Sequence, residues 1–449
     1  MKSHATSTFT FSSSRARIAL FLAGTLCLLT GALQPVAAQQ FGSPFGDTFD
    51  RSQSQPVRKP EPLQDLRPDA TPWRSDVMVD AMAAAIERYE KIVADGGWPL
   101  VPQGRMMRAG DDDPRVPILR KRLRASGDLS AKSQFYNSET FDGELEQAVR
   151  RFQLRNGIRP TGRIEQSVYA TLNITAQERL DELKLNFERL RGLMMGGIED
   201  RYILVNVPAF QLEAVERHEV QLRHRVIAGR TERQTPDVRA MIKALNFFPF
   251  WRVPDSVAML DLVPRLQKEP EYIINEVIRV YNGYNGPEVD PNTIDWHSPV
   301  VANYKFKQDP GDKNALGLVR IDMQNEHGVY MHDTPMKKLF DQRSRAFSAG
   351  CVRVQEVFQL AEWIAKYEPG WEQPGRVQQV LDGGQALDLT LMHPLPVYFA
   401  YITAWAEPET GSIQFRPDIY NRNRGAYEAN AFVDPDERPP AGAADALAP

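Results

Sequence analysis

The hydrophobic residues of this chain change their spacing near residue 200, and this change limits the possible fold more than any other feature. Before it, apolar residues recur three or four positions apart, as in Leu180, Leu183 and Phe187, which indicates amphipathic helices. After it, they alternate with polar residues, as in Ile203 and Val205, which indicates half-buried strands. The sequence therefore predicts an α+β multidomain protein with a helical N-terminal part and a β-rich C-terminal part.

The first 38 residues have the features of a secretory signal. Arg15 and Arg17 precede an apolar run from Ile18 to Leu33, and Val36-Ala37-Ala38 provides small residues for cleavage. An uncleaved anchor is the alternative, but the apolar run is short for a membrane span. We therefore expect secretion, with no stable membrane span after cleavage.

Composition narrows the choice of partners and compartment. The chain has 54 basic and 58 acidic residues, so losing the signal with its three basic residues would leave a net charge of −7, which argues against a nucleic-acid partner. Of the two cysteines, only Cys351 lies outside the signal. A free thiol in an oxidising compartment is easier to explain by chemistry than by packing. Residues 39–72 and 426–449, rich in small and polar residues and proline, are predicted to be a disordered linker and tail.

Helical patterns fill the region between this linker and the β-rich domain. Residues 73–111 contain a first amphipathic helix, residues 112–173 form a compact unit of three helices, and residues 174–198 form a connecting helix. Thr175 and Glu178 have the spacing of a capping box at the start of this connecting helix.

The stretch from His327 to Arg353 carries the residues best suited to chemistry. Alternation places Tyr330 and His332 on one face of a strand. Apolar residues at helical spacing after Cys351 place this cysteine at or near a helix N-terminus, where its thiol pKa would fall. A thiol, a histidine and the flexible backbone of Gly350 then predict a cysteine acyltransferase site.

Two other interpretations of these residues remain open from spacing alone. Cys351 could be a small buried hydrophobic residue, and His332 a strand-end histidine without a role. A metal site could combine His327, His332, Asp333 and Cys351, but no CxxC or HxxxH spacing supports it. No metal or other cofactor is expected.

The order of these residues resembles the signature of the L,D-transpeptidases, the YkuD family. His332 is followed after fifteen residues by Ser348-Ala349-Gly350-Cys351-Val352-Arg353, and preceded by the element Asn314-Ala315-Leu316-Gly317. Many members have histidine where this chain has Ala349. Residues 112–173 resemble a type-1 peptidoglycan-binding domain, most clearly at Ala148-Val149-Arg150-Arg151-Phe152-Gln153.

The resemblance implies a catalytic domain at 199–425 with a helical capping insertion at about 254–296. It implies that Cys351 is the nucleophile and that His332 is base and then acid. The carbonyl of Asp333 would orient His332, and the N–H groups of Gly350 and Cys351 would form an oxyanion hole. The expected contributors to substrate positioning or to the loop are Ser348, Tyr330 and Arg353, with a structural ion pair as the alternative for Arg353.

The implied function is a periplasmic L,D-transpeptidase that forms 3→3 cross-links between peptidoglycan tetrapeptide stems and is acylated by carbapenems. Its partners would be stem peptides, glycan and wall-synthesis proteins. The same site could instead attach a protein amine to the wall, or use water as an L,D-carboxypeptidase. A catalytically silent wall-binding scaffold is the alternative from another class.

Overall fold

The computed structural model of the protein describes residues 65–133 and 137–423. The predicted signal, most of the predicted linker and the predicted tail lie outside these ranges. Within them the chain is an α+β multidomain protein, with a helical N-terminal region and a β-rich region that carries a cap. No helix in the described ranges is both long and apolar enough to span a membrane.

Five helices make up the N-terminal region, as the spacing of apolar residues predicts. They are α1 (Asp76–Ala94), α2 (Val116–Ala125), α3 (Gly143–Arg155), α4 (Gln166–Leu172) and α5 (Ala176–Met194). Helix α1 begins where the Ser75 hydroxyl accepts the Met78 N–H, and α5 begins with the predicted capping box of Thr175 and Glu178. Helices α2 to α4 enclose a hydrophobic core of their own, while α1 packs along α5.

The prediction of disorder is wrong for residues 65–72. Residues 65–73 form a segment that we call the strap, which lies against the β-rich domain. The Val220 N–H donates to the Ala70 carbonyl of this strap at 2.9 Å. Asp65 pairs with both Arg225 and Arg345, at 2.7 Å each. The charged residues of this segment resemble solvated linker residues in the sequence, but their partners are distant in the chain, so local composition could not reveal them.

The β-rich domain begins with four strands, of which the first three pair with one another in chain order. They are β1 (Arg201–Asn206), β2 (Gln211–Glu216), β3 (Glu219–Gly229) and β4 (Val238–Phe247). The charged turn at 216–219 joins β2 to β3. The sequence pattern does not reveal β2, because Gln211–Glu216 is buried on both faces.

The cap, residues 251–308, is a subdomain with its own sheet and its own hydrophobic core. In chain order it contains β5 (Trp251–Arg252), α6 (Asp255–Val257), a π-helical turn (Ala258–Leu262), α7 (Val263–Leu266), α8 (Tyr272–Asn275), β6 (Ile278–Asn282), β7 (Glu288–Val289), two 3-10 turns (Pro291–Thr293, Pro299–Asn303) and β8 (Tyr304–Gln308). It extends beyond the predicted 254–296 because β5 and β8 pair with each other at its base.

The remaining elements complete the sheet beneath the cap. They are β9 (Val319–Gln324), β10 (Met331–His332), a 3-10 turn (Lys337–Asp341), β11 (Ala346–Ser348), β12 (Val352–Val354), α9 (Val357–Ala365), α10 (Arg376–Gly383), β13 (Leu387–Ala400), β14 (Ala404–Ala406) and β15 (Ile413–Phe415). Strands β3, β12, β10, β9, β4, β13, β1 and β2 each pair with the next, and β2 pairs with β3. These pairings close a ring in which the short strands β10 and β12 lie side by side.

Candidate active site

Strand pairing brings the predicted nucleophile and base to one face of the sheet. Strands β10 and β12 run parallel, with His332 beside Arg353. The Val352 N–H donates to the Tyr330 carbonyl at 3.0 Å, which continues the pairing by one residue and places Cys351 alongside Tyr330. Because side chains alternate along a strand, Tyr330, His332, Cys351 and Arg353 share a face.

Cys351 does not lie at a helix N-terminus, so that prediction is wrong. The residues after it form strand β12, and the helix begins only at Val357. The pattern misled because Val354 lies three residues before Val357 and so fits the helical spacing that follows, although it belongs with Val352 to a strand. Their β-branched side chains join a core strand between β10 and β3. The thiol therefore receives no help from a helix dipole.

A tight turn holds the Cys351 backbone in place. The Ser348 hydroxyl donates to the Cys351 carbonyl at 2.5 Å and accepts the Gly350 N–H at 3.1 Å. Gly350 has a φ of 122°, which favours glycine, and its carbonyl accepts the Thr235 hydroxyl at 2.8 Å. Ser348 is completely buried, so it stabilises this turn and has no exposed atoms with which to position substrate.

The turn changes the predicted oxyanion hole. The Gly350 N–H already donates to Ser348, so it is not a free donor in this structure. The Cys351 N–H has no hydrogen-bond partner within the described part of the chain. Of the two predicted donors, the structure therefore leaves only the N–H of Cys351 available.

His332 is buried and held in one tautomer. Its Nδ1–H donates to the Asp333 carbonyl at 2.5 Å, the predicted orienting contact, and its Nε2 is buried without a hydrogen-bond partner among the described residues. Burial, followed by the positive charge of Arg353, lowers the pKa of His332 to about 3, although the Asp333 and Leu316 carbonyls offset part of this effect. The ring is therefore neutral at pH 7, and Nε2 can accept a proton.

The element Asn314–Gly317 packs against Asp333, the residue whose carbonyl orients His332. The Asp333 carboxylate accepts the Leu318 N–H at 3.0 Å, and a Cβ on Gly317 would lie 2.3 Å from that carboxylate. Asn314 donates to the Pro249 and Asp309 carbonyls, at 3.0 and 2.9 Å. Only glycine fits at 317, since any side chain would displace the residue whose carbonyl orients His332.

The Cys351 thiol is protonated at rest. Burial raises its pKa to about 11, although hydrogen bonding from the Tyr330 backbone and hydroxyl, and the charges of Arg353 and Arg320, partly oppose this. Only 7% of the residue is exposed, because Tyr330 and Ala349 pack against the hydrophobic core of the cap. A neutral thiol on the same sheet face as a neutral imidazole suits general-base activation rather than a preformed ion pair.

Arg353 forms no ion pair with a described residue, unlike the structural alternative considered for it from the sequence. Its side chain is buried, and within the described residues it reaches the Thr334 hydroxyl at 3.5 Å and the Met336 sulfur at 3.8 Å, but no carboxylate. Burial lowers its pKa to about 10, while the nearby Cys351 raises it. Arg353 thus supplies a buried positive charge beside the reactive thiol.

The pKa directions lead to a test of the resting thiol. Above its pKa a thiol becomes the reactive thiolate, and the raised pKa of Cys351 delays this to alkaline pH. We expect the rate of alkylation by iodoacetamide to climb steadily from pH 7 to pH 10, by roughly tenfold per unit. Mass spectrometry of the labelled Cys351 peptide measures the rate. A rate that is already at its plateau at pH 7 would instead indicate a stable thiolate.

Sequence reasoning missed the residues that support the site from a distance. Thr235 holds Gly350, and the Tyr420 hydroxyl donates to the Gly229 carbonyl beside it at 2.5 Å. Arg345, three residues before Ser348, is fully buried and takes its counter-charge from Asp65 of the strap. No local pattern marks these residues, since each acts across more than a hundred positions of sequence.

The metal interpretation gains no support from the geometry. Among the described residues, no group of three or more His, Cys, Asp or Glu side chains is arranged to hold a metal ion. His327 is partly exposed and faces Glu326 at 3.5 Å.

Two family profiles match this chain. Residues 200–377 match the L,D-transpeptidase catalytic domain, YkuD, and residues 112–172 match a peptidoglycan-binding domain. A curated protein of Haemophilus influenzae with the name "Putative L,D-transpeptidase" is 34% identical over 248 residues, which cover 54% of this chain and 48% of that protein. The chain thus spans about half the length of the curated relative that it matches.

Two solved structures are also similar in part. The L,D-transpeptidase of Xylanimonas cellulosilytica (residues 123–326) has 13% identity and a TM-score of 0.21, covering 66% of this chain and 98% of that one. The L,D-transpeptidase of Stackebrandtia nassauensis has 12% identity and a TM-score of 0.23, covering 67% and 96%. Scores this low support no conclusion about the fold.

Proposed function

Because the chain carries the catalytic domain of the L,D-transpeptidases together with an N-terminal peptidoglycan-binding domain, we propose that it cross-links peptidoglycan stems through a thioester on Cys351. The observation that supports this most is the shared sheet face of Cys351 and His332, with the histidine neutral and its Nε2 free to accept a proton. The matched domains support peptidoglycan as the substrate class.

In the first half-reaction, Cys351 attacks the carbonyl of the third residue of a donor tetrapeptide. His332 takes the thiol proton on Nε2, and the new C–S bond forms as the oxyanion meets the Cys351 N–H. Collapse of this intermediate breaks the C–N bond, and His332 returns the proton to the amine of the departing D-Ala. The Asp333 carbonyl keeps the imidazole in the required tautomer throughout.

In the second half-reaction, the side-chain amine of the third residue of another stem attacks the thioester. His332 accepts a proton from this amine, the C–S bond breaks, and the proton returns to the thiolate. The product is a 3→3 cross-link. Arg353, with its buried charge beside the sulfur, favours the thiolate leaving group and disfavours a charged imidazole at rest.

The enzyme would act in the periplasm, where the three-helix unit, residues 112–173, would bind it to the cell wall. Wall-synthesis proteins are further candidate partners. Transfer to a protein amine, or to water as in an L,D-carboxypeptidase, uses the same first half-reaction. A silent scaffold would not require the oriented histidine.

Purified protein incubated with disaccharide-tetrapeptides tests this proposal and separates the acceptors. We expect mass spectrometry to show dimers that have lost one D-Ala per cross-link. Tripeptide monomers alone would assign a carboxypeptidase, and no change in the peptides would contradict an enzymatic role on this substrate.

A further inference from the structure

A substrate cannot contact the candidate active site in this structure, because Cys351 is 7% exposed and His332 is fully buried. A branched peptide cannot reach this thiol unless the cap moves. The contacts that hold the cap over the site therefore control the entry of substrate.

Two ion pairs join the cap to the segment that follows β3, and both end on the same carboxylate. Asp261, on the π-helical turn of the cap, pairs with Arg230 at 2.9 Å and with Arg233 at 2.5 Å. Its side chain is 24% exposed, and those of Arg230 and Arg233 are 32% and 15% exposed. Turns of this rare helix type often occur at functional positions.

The two arginines belong to the segment that borders the catalytic turn. The Arg230 N–H donates to the Ser348 carbonyl at 2.9 Å, and the carbonyl of Arg233 lies 4.0 Å from the position of a Cβ on Gly350. Thr235, in the same segment, holds the Gly350 carbonyl. The guanidinium groups therefore extend from a segment fixed to the nucleophile's own turn.

The charges at this contact do not balance. Two guanidinium groups, each able to bind a carboxylate in a bidentate manner, share the single carboxylate of Asp261. Opening the cap would remove Asp261 and leave two cations at the edge of the catalytic turn. Such a pair is suited to bind another carboxylate.

We propose that Arg230 and Arg233 form a carboxylate site that Asp261 occupies when the cap is closed and that the terminal carboxylate of the donor stem occupies when substrate enters. The inference rests on the proposed function, since a tetrapeptide donor ends in a free carboxylate one residue beyond the carbonyl that Cys351 attacks. Exchange of one carboxylate for the other would couple cap opening to the arrival of a donor.

The first part of the test measures cap opening without a substrate. Asp261→Asn removes the shared carboxylate, so iodoacetamide should alkylate Cys351 roughly three- to tenfold faster than in the wild type. Asp255→Asn is the matched control, because Asp255 pairs within the cap, with Lys305 at 2.7 Å, and should leave the rate unchanged. An unchanged rate in Asp261→Asn would contradict the claim that the Asp261 ion pairs hold the cap closed.

The second part measures carboxylate recognition. Wild-type protein should use a tetrapeptide donor with a free terminal carboxylate at least about tenfold more efficiently than the same donor amidated at its C-terminus. Arg233→Gln, and the double variant with Arg230→Gln, should lose this preference, whereas Asp261→Asn should keep it. Arg279→Gln is the control, because Arg279 pairs with Glu288 inside the cap and with Asp309 directly after it. Arg233→Lys should retain part of the preference.

The two parts fail independently. If the wild type makes no product from any stem, the proposed function fails. The alkylation rate of Cys351 still measures whether the Asp261 ion pairs hold the cap closed. If the wild type makes product equally well from both donors, or if the arginine variants keep the preference for the free carboxylate, the carboxylate site is wrong and the proposed function stands. Thermal unfolding of each variant, compared with the wild type, confirms that the measured proteins are folded.

Discussion

Replacing Cys351 by alanine is expected to abolish cross-linking, with a loss of at least about four orders of magnitude in turnover. No other described residue on this sheet face can form the thioester, and Cys27, the second cysteine, lies in the predicted signal. Product formation from disaccharide-tetrapeptides measures the effect. The free energy of unfolding should fall by only about 1 kcal/mol, since the change removes one buried sulfur.

Ser348→Ala is an informative comparison for this variant. It keeps the nucleophile but removes the hydroxyl that holds both the Cys351 carbonyl and the Gly350 N–H. We expect it to reduce turnover without abolishing it and to destabilise the turn. Retained transfer in Cys351→Ala would contradict the assignment of the nucleophile.

Replacing His332 by glutamine is expected to reduce turnover by about 10²- to 10⁴-fold. Glutamine can still donate a hydrogen bond but cannot take the thiol proton, and the raised pKa of Cys351 makes this proton transfer necessary at pH 7. Because the pKa of His332 is lowered to about 3, its basic form is present at all higher pH values. Activity of the wild type should therefore not fall between pH 7 and pH 5 through protonation of this histidine.

His327→Gln provides the matched control, since His327 lies in the same stretch but is partly exposed and faces Glu326. Its turnover should stay within about twofold of the wild type. Equal losses in the two variants would revive a shared role, such as a metal site, which metal analysis of the purified protein would then decide.

Features with local causes could be predicted from the sequence. Helix α5 begins at the Thr175 capping box, because a cap forms between residues only a few positions apart. The shared face of Tyr330 and His332 also follows from alternation alone. The resemblance to the L,D-transpeptidases also predicts Cys351 and His332 as nucleophile and base, and the structure places both on one sheet face.

Features with distant causes could not be predicted. Cys351 precedes a strand rather than a helix because β12 pairs with β10 and β3, and three residues are too few to reveal such pairing in a sequence. Asp65 lies in a stretch with linker composition, and its partner, the buried Arg345, is 280 positions away in the sequence. Likewise, burial of Arg353 without a carboxylate depends on how the sheet and the loops pack around it.

In the proposed mechanism Cys351 carries the acyl group, and reaction with a carbapenem tests this role of Cys351 most directly. The strained β-lactam carbonyl imitates the peptide carbonyl, so attack by the thiol should add one drug mass to the protein. Intact-protein mass spectrometry followed by peptide mapping should place this adduct on Cys351, with no adduct on Cys351→Ala and slower formation in His332→Gln. The absence of an adduct on wild-type protein under conditions where it cross-links stems, or an equal adduct on Cys351→Ala, would contradict the acyl-enzyme.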